Sequence, residues 1–516
     1  MTPTSSTSKT ATAMRLLRAI ACHVAPGARA ARRAIGATLG MAWAVVLVPF
    51  RAALAVASAA RAVAGAAASS ARSIATEWGL FLRGPSYGPY RRQSMAAGGV
   101  QALSGPGLAL PLLLILGVSP ALTTLMLTSL IAGPAMQLAM PTLLRAWGGH
   151  FRAITTALTA VGETVGLWVA PALLGVAVLG WPPAVAAAAV SAALFVNGFA
   201  SGTAYSNMGV WFHIVLPERE RRFVAPRTAG LSAGVAALVL LPVALALDAL
   251  VSGARGALPS IPDAGLIPFA LMYAAGGLCG LAEVAAVRGF LDPGRVHQGK
   301  EARSPAGSSE LSRFLRVAGL AAFGSGIAPY MSIYAMTVLH ASAGFAVSLS
   351  AASMGAGIAA STVAAAVLAH RSSSRALRVS YIALGAGYAL ALGANPLVAD
   401  ALLVLAGANI LVAAGAAVGR LAVNERLFRL IGDSDAMSAS ARFIGTTATG
   451  ATAGSVVMAG AIAVAPPAFA VYGVLFALSG LARLWTAFGM DVSPSWNSAV
   501  NERFARRAEY LSGRDC

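Results

Sequence analysis

Apolar residues run along this chain in long blocks, not in the alternation of a half-buried strand or the stripe of a surface helix. A helix needs roughly 20 such residues to cross a hydrocarbon layer about 30 Å thick. Breaking the blocks at Pro, Gly and charge clusters predicts twelve spans: 94–117, 120–144, 154–179, 183–209, 228–251, 265–287, 315–338, 342–369, 377–394, 398–419, 441–464 and 468–489. Turns such as Gly180-Trp181-Pro182-Pro183 and Pro466-Pro467 are short and rigid, which suits antiparallel hairpins. The pattern predicts an all-α polytopic membrane protein.

Composition agrees. Of 516 residues, 58% are hydrophobic and 11% charged, with mean hydropathy +0.74; soluble chains carry about 25% charged residues. The 37 Lys and Arg outnumber the 18 Asp and Glu, for a net charge of +19. Such an excess raises nucleic-acid binding, and its distribution answers the question. With the amino terminus inside, every Lys and Arg except Arg255 falls on the inner side of the twelve-span topology. That asymmetry places both termini in the cytoplasm, in a cytoplasmic (inner) membrane. It also leaves no single basic patch for a nucleic acid. Cys22, Cys279 and Cys516 are too scattered for a disulfide framework or metal site. The sequence holds no phosphate-binding loop and no clustered metal ligands, so no cofactor or metal is expected and an enzyme is disfavoured.

The region before the first span is harder to read. Residues 34–50 are uncharged and close to spanning length, but a crossing there would place five arginines outside. Arg51, Arg61 and Arg72 then recur in an Ala/Val background. We read residues 14–75 as helices at the inner leaflet, their arginines toward anionic headgroups; a thirteenth span is the alternative.

The chain also resembles itself. Leu116-Gly117-Val118-Ser119-Pro120-Ala121-Leu122 matches Leu339-His340-Ala341-Ser342-Ala343-Gly344-Phe345, and Val215-Leu216-Pro217-Glu218-Arg219-Glu220 matches Leu430-Ile431-Gly432-Asp433-Ser434-Asp435. At the second offset Arg227 falls on Arg442 and Gly230 on Gly445. The expected organisation is a basic amino-terminal region (1–93), a six-helix bundle (94–287), a cytoplasmic linker (288–314), a second six-helix bundle (315–489) and a tail (490–516). Two parallel halves of this kind are a transporter architecture, with the solute path between them.

With that plan, the run from Trp211 through Pro217, Arg219, Arg221, Arg222 and Phe223 to Arg227 resembles the turn between spans 4 and 5 in a branch of the major facilitator superfamily. The turn between spans 2 and 3, Leu144-Arg145-Ala146-Trp147-Gly148-Gly149-His150-Phe151-Arg152, lacks the acid of the superfamily's usual motif, and its counterpart from His370 lacks acid and glycine. The resemblance implies that spans 1, 4, 7 and 10 line a cavity. Gln101, Asn197, Ser201, Tyr205, Tyr330, Tyr334 and Asn409 are then the cavity candidates; hydrogen bonding between helices is their alternative role.

Ionisable groups at membrane depth are functional suspects. Glu163 lies about ten residues into span 3 without a basic residue in that span. A carboxyl there can carry a proton, as coupling requires, or pack as a neutral acid. Glu283 is the second coupling candidate, although its spacing from Arg288 favours pairing with an arginine. Asp248, near the outer end of span 5, is expected to meet water. Arg219, Arg221, Arg222 and Arg227 are candidates for an inner gate paired with Glu425, Asp433 or Asp435, with Arg442 as the repeat's counterpart; simple anchoring is the alternative. The expected function is a secondary transporter, a permease that moves a small solute across the membrane by alternating access, with Glu163 as the candidate for proton coupling. A non-transporting scaffold or assembly factor of the same fold is the rival.

Overall fold

The structure, a computed structural model, describes residues 75–292 except 259 and 262, and 309–489 except 329, 371–372, 432–435 and 466–467. The leaflet helices expected over 14–75, the segment 34–50, the linker over 293–308, the tail from 490, and Asp433 and Asp435 lie outside these residues. So do the side chains of Arg219 and Arg222.

Every regular element among the described residues is helical. The first half comprises α1 (Gly88–Leu103), α2 (Pro106–Ile115), α3 (Pro120–Ala132), α4 (Met140–Ala146), α5 (Phe151–Glu163), α6 (Gly166–Leu179), α7 (Pro183–Val215), α8 (Glu218–Ala257) and α9 (Ile267–Arg288). The second comprises α10 (Ser309–Gly326), α11 (Met331–Thr337), α12 (Ala343–His370), α13 (Ser373–Ala391), α14 (Ala401–Ile431), α15 (Ala436–Val464) and α16 (Phe469–Gly489). Several spans are two helices in line. The α1–α2 break falls at Ser104-Gly105, where Pro106 starts the new helix; proline lacks the N–H that a first helical residue does not need.

Among the described residues, eleven stretches are long and apolar enough to cross a membrane. The twelfth expected span, 377–394, corresponds to α13, which is helical but falls outside that set. Arg375 and Arg378 occupy its first two turns and dilute its apolar content. Other helices outrun their predicted ends: α7 continues to Val215 and α8 starts at Glu218. Backbone hydrogen bonding persists past the hydrocarbon, and charged residues are good helix formers there.

The first half also begins earlier than the hydropathy boundary at residue 94. Residues 75–83 form a helix whose Phe81 is fully buried with Tyr90, Phe151, Trp211 and Phe290 in one aromatic cluster. Apolar mass, not interfacial amphipathicity, fixes this segment.

The internal repeat has a structural counterpart. Gly117 and His340, aligned in the sequence match, both hold left-handed backbone, with φ of 80° and 54°. Ser119 then accepts the Leu122 N–H at 3.3 Å, and Ser342 accepts the Phe345 N–H at 3.2 Å, so each turn ends in the same helix cap. The halves meet through exchanged pairs: α3 packs on α15, and α8 on α12. These are the second and fifth spans of opposite halves, as a pseudo-twofold demands. Val347 and Ala351 of α12 join the first half's core beside Leu240 and Ala244 of α8.

Candidate functional site

Within the first half, α5, α7, α9 and α1 converge on a group of polar side chains. Glu163 closes α5 and is 2% exposed; Glu283, on α9, is 0% exposed. Two glycines allow the approach. A Cβ on Gly162 would strike the Ser201 hydroxyl of α7, and one on Gly280 would strike the Glu163 carbonyl. The missing side chains bring α7 and α9 against α5 at the level of its carboxylate.

The hydrogen bonds form one connected set. Asn197 Nδ2 donates to the Gly162 carbonyl at 3.0 Å and to Ser201 Oγ at 3.1 Å. The hydroxyls of Ser201 and Tyr205 hydrogen-bond the Glu163 carboxyl. The Tyr205 hydroxyl also lies 3.2 and 3.4 Å from the two oxygens of Glu283, and Gln93 Nε2 donates to Glu283 Oε1 at 2.7 Å. One phenol thus bridges two buried carboxyls, although 42% of the Tyr205 residue surface stays exposed. Among the described residues, Glu163 and Glu283 take part in no ion pair.

The structure therefore gathers five predicted residues, Glu163, Glu283, Asn197, Ser201 and Tyr205. It corrects the expectation that Glu283 pairs with an arginine: α9 turns this side chain inward to Tyr205 and Gln93, while Arg288, five residues on, is exposed. Gln93 escaped the sequence reading because it sits beside Arg91 and Arg92, one residue before the hydropathy boundary.

The remaining cavity candidates do not join this set. Gln101 is exposed on α1 and Tyr330 is half-buried before α11. Tyr334 is fully buried and spends its hydroxyl on the Ala394 carbonyl. Asn409 donates to the Leu349 carbonyl at 2.6 Å and to Ser353 Oγ at 2.7 Å, tying α14 to α12.

The gate candidates are dispersed as well. Arg227 is buried, pairs with Glu77 of helix 75–83 and lies 4.0 Å from the Phe223 ring centroid. Its partner is thus an acid of its own half, which the sequence reading did not consider. Arg221 Nη1 lies 2.5 Å from His213 Nδ1. Glu425 is half-buried on α14 and Arg442 exposed on α15. In the acid-free turn after α4, Arg152 Nη1 lies 3.6 Å from Asp292. Asp248 is exposed, as expected, but its Oδ1 also accepts the Gly344 N–H at 3.1 Å, linking α8 to the start of α12.

No family model matches the chain, and no curated protein matches it in sequence. Solved structures do. A D-xylose–proton symporter aligns over 78% of this chain and 96% of its own, at 13% identity and TM-score 0.57. The nucleoside transporter NupG aligns over 78% and 98%, at 11% identity and TM-score 0.56. FucP, described as a major facilitator superfamily transporter in the outward conformation, aligns over 77% and 98%, at 14% identity and TM-score 0.51.

Proposed function

We propose, from the major facilitator fold that this multi-pass membrane chain carries, that it is a secondary transporter for a small solute, coupled to protons through the Glu163–Tyr205–Glu283 group. The bridged carboxyl pair carries the proposal. Two buried carboxyls that share a phenol, with no cation paired to either among the described residues, cannot both ionise cheaply, which suits the pair to carrying one exchangeable proton. A rocking motion that changes the hydration of α5, α7 and α9 would load and release that proton. The sparsely charged surroundings suit a neutral solute, and the names of the structural neighbours point to sugars and nucleosides as the first panel. The one-sided arginine distribution supports a cytoplasmic membrane with both termini inside and anionic lipid at the inner leaflet.

The test is flux in proteoliposomes. A solute from that panel should accumulate under an inward proton gradient. Glu163→Gln should abolish gradient-driven uptake and retain solute exchange across the membrane. Driven uptake unchanged in Glu163→Gln removes the coupling role. The acid-free turn between α4 and α5 favours one rival, a non-transporting scaffold, and absence of both uptake and exchange across the panel would support it.

A further inference from the structure

The hydrogen bonds around the two buried carboxyls have a direction as well as a pattern. Gln93 Nε2 lies 2.7 Å from Glu283 Oε1, and an amide nitrogen can only donate. The Tyr205 hydroxyl makes its shorter contact, 3.2 Å, with that same oxygen, and lies 3.4 Å from Oε2. An oxygen that already accepts from Gln93 is not the one that carries a carboxyl hydrogen, so at the shorter contact the phenol is the donor. Glu283 Oε1 thus receives two hydrogens, the arrangement of an ionised carboxylate. Gln93 and Glu283 are both buried, so the amide and not bulk water serves this oxygen.

Glu163 meets the same phenol, and a phenol has only one hydrogen to give. With that hydrogen committed to Glu283, the Tyr205 oxygen can only accept from Glu163. An ionised Glu163 would set acceptor against acceptor, whereas a protonated one supplies the missing hydrogen. Ser201 fits this order. Its Oγ accepts from Asn197 Nδ2 at 3.1 Å, which leaves its own hydrogen for the Glu163 carboxyl. Asn197 is itself anchored on the Gly162 carbonyl at 3.0 Å.

We infer, on the proton-coupled reading of the pair, that its proton resides on Glu163 and points through Tyr205 to an ionised Glu283, with Gln93 as the positioning residue that sets this order. The phenol is then a relay with a defined start. Glu163 passes its proton to the Tyr205 oxygen as Tyr205 passes its own to Glu283. Two O–H bonds break and two form, and the group keeps a single negative charge throughout. Gln93 holds the resting end of this exchange at Glu163, because its N–H favours the charged form of Glu283.

Infrared difference spectroscopy on the full chain, in a neutral detergent free of esters, tests the order, because carboxylic acids and carboxylates absorb in separate regions. At neutral pH the wild type should show an acid carbonyl band that shifts in heavy water. Glu163→Gln should lose that band. Glu283→Gln should keep it, since the new amide oxygen still accepts from Gln93 and Tyr205. In a Gln93→Leu background Glu283 loses its fixed donor and takes the proton, so Glu163→Gln should no longer remove the band; its loss there overturns the role of Gln93. If a Gln variant of either acid does not fold, the Asp variants keep both carboxyls, and Glu163→Asp should displace the band further than Glu283→Asp. A band lost in Glu283→Gln and kept in Glu163→Gln would mean that Gln93 turns its oxygen to Glu283, and overturns the order. Like behaviour of the two variants overturns it as well. A reversed order leaves the proton-coupled reading standing, whereas a wild type without any acid band removes the shared proton and that reading together.

Discussion

At the scale of single residues, the Tyr205 hydroxyl separates a proton relay from a packing contact. Replacing it with Phe keeps the ring and removes the one group that both carboxyls share. Leaving buried acceptors without their donor costs about 1–3 kcal/mol, so Tyr205→Phe should fold with a lowered thermal midpoint. If the hydroxyl connects the pair, proton-driven uptake should fall at least tenfold while exchange persists. Equal loss of both activities would assign Tyr205 to structure alone. Glu163 was legible in the sequence because a lone acid interrupts an apolar run, and Asn197, Ser201 and Tyr205 because they recur at helical spacing on one face. The role of Glu283 was not. Local spacing to Arg288 suggested an ion pair, whereas the close packing of α9 on α5 selected the inward rotamer. Gln93 was hidden for a related reason: hydropathy sets a boundary from composition, and a helix that begins at Gly88 carries a polar residue past it.

Between elements, two contacts hold the first half around its carboxyl pair. Gly280 lets α9 touch the α5 backbone at the Glu163 carbonyl. Gly280→Ala forces these helices apart and should destabilise by about 1–3 kcal/mol, the usual cost of overpacking, with a loss of proton-driven uptake because Glu283 moves with α9. Thermal unfolding and flux on the same preparation check both parts; a variant with wild-type values in each removes the tight approach as a requirement. The second contact is the pair of Glu77 and Arg227, which fastens helix 75–83 to α8. A double-mutant cycle over Glu77→Gln and Arg227→Gln should show a coupling of about 0.5–3 kcal/mol, and strict additivity would mean that the two side chains act independently. Sequence periodicity located most helices, but not the 75–83 packing. Phe81, Trp78 and Tyr87 are too sparse to register as a span and find their partners, such as Phe223, far along the chain.

For the molecule as a whole, the exchanged pairs α3–α15 and α8–α12 form the seam between the two halves. Repetition in the sequence anticipated two related halves, since the matched turns at Gly117 and His340 share a backbone conformation and a serine cap. It could not say which helices of opposite halves touch, because that depends on side chains distant in sequence, such as Val347 and Ala351 against Leu240. The Asp248–Gly344 hydrogen bond crosses this seam at one end of α8. An acceptor that holds the first turn of α12 stabilises whichever conformation closes that end. Asp248→Ala deletes the acceptor without adding bulk, and a charged hydrogen bond of this kind contributes about 1.5–3 kcal/mol. Such a loss moves a two-state equilibrium by roughly ten- to a hundredfold. Spin labels on the adjoining ends of α8 and α12 should therefore report a larger population of long distances in Asp248→Ala than in the wild type, with Asp248→Asn in between because its amide oxygen still accepts. Identical distance distributions in all three proteins would show that the seam is held by apolar packing of α8 on α12 alone.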